Sequence, residues 1–281
     1  MSSQPVRRAA VAGSWYPGDG AALAREVDRY LSAVPDEVAG ATVHAVVSPH
    51  AGLMYSGPVA AWAYRSVQGR PFDVAVLVGP SHQVGFEGVA IYPRGSFATP
   101  LGPIDIAEAE AAAILAHNPA VRDYPAAHAR EHSLEMQLPF LQRVLPGVPI
   151  VPLVMGFQSP DTIEALARTL ARVLDGKRVL LVASSDLSHY LDARSAAAMD
   201  AVVLDAVNEF DADRLLRALE SEPHHACGGG PIVSVMKAAK SLGALQGRVL
   251  KYAHSGDVSG DESAVVGYMA AAFGEFPERC G

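Results

Sequence analysis

Six short apolar runs rich in β-branched residues set the rhythm of the chain: residues 43–48, 73–79, 88–92, 149–155, 178–184 and 248–253. Most are apolar at every position rather than at alternate ones, the pattern of strands covered on both faces. Segments of helical period lie between them. In residues 20–34, Leu23, Val27, Tyr30, Leu31 and Val34 share one face behind Asp19, a suitable N-cap. In residues 159–174, Ile163, Leu166, Leu170 and Val173 repeat the pattern, with Pro160 in the first turn, where its missing N–H costs nothing. The spacing of Leu134, Leu138, Leu141 and Leu145 predicts a helix over 133–145, strained or kinked at Pro139. Residues 195–207 and 230–243 predict two more, the second closed by Gly243.

Strands that alternate with helices argue for a three-layer α/β/α fold with a largely parallel central sheet. No long polar or Gly/Ser-rich linker interrupts the pattern, so a single domain over residues 1–281 is expected. With 281 residues, half of them apolar, the chain can bury a large core.

Charge narrows the function. Twenty-two lysines and arginines against 30 acidic residues give a net charge of −8, and no basic run breaks the excess. The chain is a poor candidate for binding nucleic acid by charge. It has no apolar stretch of about 18 residues and no signal-peptide pattern, so no membrane partner is expected. Two cysteines, Cys227 and Cys280, make no disulfide framework, and a reducing cytoplasm is the expected compartment. A chain this apolar is consistent with a homodimer.

Chemistry gathers where the apolar runs stop. "VVSPH" ends in His50, and 32 residues later "VLVGPSH" ends in Ser81 and His82, an offset that matches one β-α-β unit. "LLVASSDLSHY" releases Ser184, Ser185, Asp186, Ser188 and His189. In open α/β sheets ligands bind beyond the carboxyl ends of the strands, so three separate strands deliver imidazoles to one predicted edge. Neutral imidazole suits iron, copper and zinc. A fourth cluster, "HHACGGGP", brings His224, His225 and Cys227 to a predicted helix start, where unpaired N–H groups favour thiolate. Its glycines allow close approach of the backbone.

Long motifs carry a family likeness: "AVAGSWYPGD", "VSPHAGLMYSGPVAAWAY", "VLVGPSH", "TPLGPIDIA", "HAREHSLEMQLPFLQ", "VASSDLSHY", "HHACGGGPIVSVMKAAKSLGA" and "YAHSGDVSGDESAVVGYMA". Nearly end to end, the chain resembles the Memo family, whose fold is similar to that of the class III extradiol dioxygenases. The resemblance implies a metal site in which His50 and His82 stand where the dioxygenases place their two histidine ligands. Cys227 then stands in place of their carboxylate, and His189 stands near their acid–base histidine. It also implies metal-dependent redox activity, or binding of phosphotyrosine peptides near the same pocket.

A His50–His82–Cys227 set is softer than two histidines and a carboxylate. Fe(II) is the first expectation for the ion, with copper or zinc as alternatives. In a redox reading His189 moves protons and Asp186, three residues before it, orients the ring, while Ser81 and Ser185 donate to a bound oxygen species or anion. In a hydrolytic reading zinc and His189 activate water. In a binding reading there is no turnover, and Trp15, Tyr55 and the histidines contact a small molecule or phosphopeptide. His132 and Glu135, at i and i+3 of a predicted helix, share a face that can line the pocket. Asp257 and Asp261 read as turn residues, and His44 and His254 as structural.

Overall fold

The computed structural model describes residues 5–36 and 42–276, so Cys280 lies outside the described residues. The apolar runs form the strands they predict, joined by others. In chain order the strands are β1 (Val6–Arg7), β2 (Thr42–Ser48), β3 (Val74–Pro80), β4 (Val89–Ile91), β5 (Ser96–Thr99), β6 (Gly102–Asp105), β7 (Val121–Asp123), β8 (Ile150–Met155), β9 (Val179–Ser184), β10 (His189–Leu191), β11 (Gln246–His254) and β12 (Val265–Glu275). The helices are α1 (Gly20–Ser32), α2 (Leu53–Arg65), α3 (Glu108–His117), α4 (Pro125–His128), α5 (Leu138–Val144), α6 (Pro160–Val173), α7 (Ala193–Asn208), α8 (Ala212–Ser221), α9 (Gly229–Ser241) and α10 (Gly256–Ser259).

A nine-stranded sheet runs β10-β12-β2-β9-β3-β8-β4-β7, with β11 also paired to β12. Its centre, β2-β9-β3-β8, is parallel. Register decides the site. Val47 pairs with Ala183, and Ala183 with Val78. The chain therefore leaves three neighbouring strands at one level, toward His50, His82 and Asp186. The two strands of the 32-residue offset are not themselves neighbours, because β9 lies between them.

Helices cover the sheet. On one side α1, α2 and α5 pack together, with α2 against β2, β11 and β12. A second group joins α6 to α9, α9 to α8 and α8 to α7, with α9 against β9 and α7 against β11 and β12. The fold is mixed α/β with a mostly parallel central sheet, as the alternation predicts. Asp19 caps α1 by accepting from Ala22 N–H at 2.8 Å. Ser159 caps α6 with Pro160 in its first turn.

Three elements depart from expectation. The helix expected over 133–145 is instead a 3-10 turn, Glu135–Gln137, followed by α5. Pro139 sits in the first turn of α5, so it starts a helix rather than kinking one. His132 and Glu135 consequently do not share a helical face. The longest strand, β12, comes from "VVGYMAAAFGE", whose glycines and alanines lack the β-branched signature, and it is antiparallel to β2. A separate three-stranded sheet, β1-β5-β6, carries the N-terminal segment. No helix among the described residues is long and apolar enough to cross a membrane.

Candidate metal centre

His50 lies two residues beyond the end of β2, after Pro49, and is buried, at 1% exposure. Its backbone N–H donates to Asp186 Oδ1 at 2.7 Å, and its ring Nδ1 lies 2.8 Å from Ser184 Oγ. Ser184 Oγ donates its single proton to Ser133 O at 2.6 Å and accepts from Gln137 Nε2 at 2.8 Å. The hydroxyl can therefore only accept from His50, which fixes the imidazole proton on Nδ1 and puts the lone pair on Nε2. Burial, then the charges of His82, His132 and His189, hold the His50 pKa well below the ordinary histidine value. The ring is a neutral donor.

His82 is oriented by a residue not singled out in the sequence, Glu131. Its backbone N–H donates to Glu131 Oε2 at 2.6 Å, and Nδ1 lies 2.9 Å from Oε1. Oε1 also accepts from the N–H groups of His132 and Ser133, both at 2.9 Å. Burial works to raise the Glu131 pKa, but the His82 imidazole and the backbone donors overcome it and bring it down to about 2. An ionised carboxylate only accepts, so the Nδ1 of His82 carries a proton toward it and Nε2 is the ring atom turned away from Glu131.

The same loop brings His132 in. Its ring stacks on His82 with centroids 4.5 Å apart and meets His50 edge-on at 5.5 Å. Burial lowers its pKa to about 4. Ligand atoms of His50, His82 and His132 all lie within 4.8 Å of one another. Three imidazoles at this spacing fit a divalent transition metal.

Arg7 of β1 braces this loop. It donates to the carbonyls of His128 and Glu131 and pairs with Glu135. Glu135 further accepts from Ala10 N–H at 2.7 Å, Val11 N–H at 3.1 Å and Tyr16 Oη at 2.5 Å. Glu135 thus faces away from the histidines and anchors the segment carrying Trp15. The Trp15 ring, 38% exposed, sits 4.3 Å from His132.

Cys227 lies beside this trio rather than within it. Its Sγ is 3.3 Å from His50 Nε2 and accepts from Asp186 N–H at 3.3 Å. Burial, and then the nearby Asp186 carboxylate, push the thiol pKa up, against the lowering expected of a helix start. The close approach expected of the glycines is present, since a Cβ on Gly228 would stand 2.5 Å from Ser184 O.

Other expected residues divide between the site and its supports. His189 lines a cavity of about 490 Å³ together with His82 and Cys227. Burial lowers its pKa, and its hydrogen bond is with the Leu187 backbone. Asp186, expected to orient His189, instead receives the backbone N–H groups of His50 and Ala51, and burial raises its pKa to about 7. Ser185 Oγ donates to Asp186 O at 2.7 Å and accepts Gly228 N–H at 2.9 Å, which joins the end of β9 to the start of α9. Ser81 Oγ is engaged in its own turn with Val84 O at 2.7 Å. Tyr55, near the start of α2, packs against the core. His225 bonds Met199 O at 3.0 Å and exposed His224 pairs with Glu222, outside the trio. Asp257 and Asp261 accept within their own turns, as expected.

Fold and site together define an α/β protein with a histidine-rich centre at the carboxyl edge of its sheet. The chain belongs to the Memo family: the family described as Memo-like protein matches residues 7–272. A MEMO1 family protein of Sulfolobus acidocaldarius is 36% identical over 285 residues, covering 96% of this chain and all of the relative. One of Methanosarcina mazei is 39% identical over 268 residues, covering 94% and 98%. The crystal structure of the uncharacterized protein JW3007 from Escherichia coli K12 is similar in fold, with a TM-score of 0.58 over 83% of this chain and all of that one, at 15% identity.

Proposed function

We propose that this protein is a metal-dependent redox protein of the dioxygenase-like type. Its ion would be held by His50 and His82 with His132 as third donor, and Cys227 would stand beside His50 as a neighbouring soft group. One observation carries the reading: three imidazoles offer ligand atoms within 4.8 Å of one another. Two of them have Nδ1 committed to a hydroxyl and a carboxylate. Fe(II) is the first choice, then copper or zinc. A bound iron or copper ion supplies one-electron chemistry and open positions for substrate and oxygen.

The residues around it have separate roles. Glu131 holds His82 in its ligating tautomer, and Ser184 does the same for His50. His189, neutral and on the cavity wall, is placed to take or return a proton on the substrate side. Asp186 fixes the His50 loop.

The three-imidazole set also favours a second reading, a zinc hydrolase, because three histidines and an open position suit catalytic zinc. Exposed Trp15 against His132 favours a third, a site that binds a ring-bearing small molecule or phosphopeptide without turnover. Metal analysis of tag-free protein separates them. Iron or copper at one ion per chain supports the redox reading, zinc the hydrolytic one, and failure to bind any of the three leaves the binding reading.

A further inference from the structure

A second cleft opens on the other side of Cys227. It has a volume of about 510 Å³, within the usual range of small-molecule pockets. Its walls include Phe157, Ile163, Leu216 and Leu219, and it shares Cys227 and Pro223 with the cavity that holds His82 and His189. Two spaces, one lined in part by imidazoles and one largely by apolar side chains, therefore border each other at Cys227 and Pro223.

The chemistry of this cleft is one-sided. Leu216 and Leu219, three residues apart on α8, are only half-buried, whereas Leu215 beside them is buried. Phe157, at the cleft, is 56% exposed, a large ring left open to solvent. The half-buried polar side chain in the wall, Gln158, is already spent: Nε2 donates to Cys227 O at 2.7 Å, and Oε1 accepts Gly230 N–H at 2.6 Å. What remains polar is Glu220, which is exposed and would repel an anionic group.

We infer that the cleft is a subsite for the neutral apolar chain or ring of the ligand whose polar, metal-binding head occupies the imidazole cavity, with Cys227 at the neck. This names a ligand class, head-chelating and apolar-tailed, and it rests on the metal reading of the three histidines. An apolar tail gains by leaving water, so affinity grows with each methylene buried.

The test uses straight-chain alkyl hydroxamates, from acetohydroxamate to octanohydroxamate, added to the metal-loaded full chain. Dissociation constants are read by titration, and the methyl resonances of Leu216 and Leu219 report where the chain lies. The expected result is a fall in dissociation constant of about fourfold per added methylene until the cleft is filled. The leucine methyls should shift with octanohydroxamate and not with acetohydroxamate. Leu216→Trp, which fills the cleft, should abolish the length dependence and leave acetohydroxamate binding unchanged. The wild-type series stands alone if that variant fails to fold. Binding of acetohydroxamate with no gain in affinity along the series would overturn the cleft assignment and leave the metal reading standing. Long-chain binding at the leucine methyls without any acetohydroxamate binding would support the cleft and overturn the metal reading. If no member binds, both fall.

Discussion

Glu131 grips His82 twice, with Oε2 accepting the backbone N–H at 2.6 Å and Oε1 lying 2.9 Å from ring Nδ1. The same carboxylate gathers the N–H groups of His132 and Ser133. One buried acid thereby sets the tautomer of one candidate ligand and the backbone of another.

Glu131→Gln keeps the size of the side chain and removes its charge. It is expected to weaken metal affinity about 10–100-fold, the usual cost of losing an outer partner of a ligating histidine. Competitive titration against a chelator of known affinity measures this. Unchanged affinity would mean that His82 needs no orienting group.

Arg7 and Glu135 form an ion pair with side chains 3% and 0% exposed. Glu135→Leu leaves the guanidinium buried without its counter-charge and strips the acceptor from Ala10, Val11 and Tyr16. A loss of about 3–5 kcal/mol is expected in urea unfolding, with a shift in tryptophan emission because Trp15 rides on the released segment. A loss under about 1 kcal/mol, the range of an exposed pair, would show that water enters the site.

His128 gives the fold a pH dependence of defined sign. Its ring is 1% exposed among Tyr92 and Phe97, and burial lowers its pKa to about 3. The unfolded chain takes up a proton near the ordinary value of about 6.5, and the folded protein does not until about pH 3. Stability is therefore full above the unfolded value and falls as pH drops between the two, by up to about 1.4 kcal/mol per pH unit from this group. His128→Phe should flatten that part of the stability profile, and an unchanged slope in urea melts from pH 7 to pH 4 would contradict it.

The sheet centre is legible because strands buried on both faces leave unbroken apolar runs, and the ends of two of them bring the His50 and His82 rings within 5.2 Å of each other. What was not legible has physical causes. β12 is built of small residues chosen for close packing, as at Gly267, where a Cβ would meet Asp200 Oδ2 at 2.0 Å. His132 stands out in the sequence, but helical spacing puts Glu135 on the same pocket-facing side. The chain there is a loop ending in a 3-10 turn, which turns Glu135 toward Arg7 and leaves the adjacent Glu131 to hold His82. No periodicity marks such a loop. An acid directly beside a histidine, in "REHS", was the available signal. The role given to Asp186 failed similarly: three residues separate it from His189, but its carboxylate turns back to the N–H groups of the His50 loop.

The most direct test compares metal binding in tag-free wild type, His50→Ala, His82→Ala, His132→Ala and Cys227→Ser, with iron, copper and zinc each titrated anaerobically. Wild type should bind one ion per chain. Each histidine variant should stay folded and lose affinity by more than the roughly 100-fold upper cost of an outer partner. Cys227→Ser should still bind, with a changed preference among the three metals. His132→Ala binding as wild type does, while Cys227→Ser loses the ion, would contradict the three-histidine centre and put the thiol in its place.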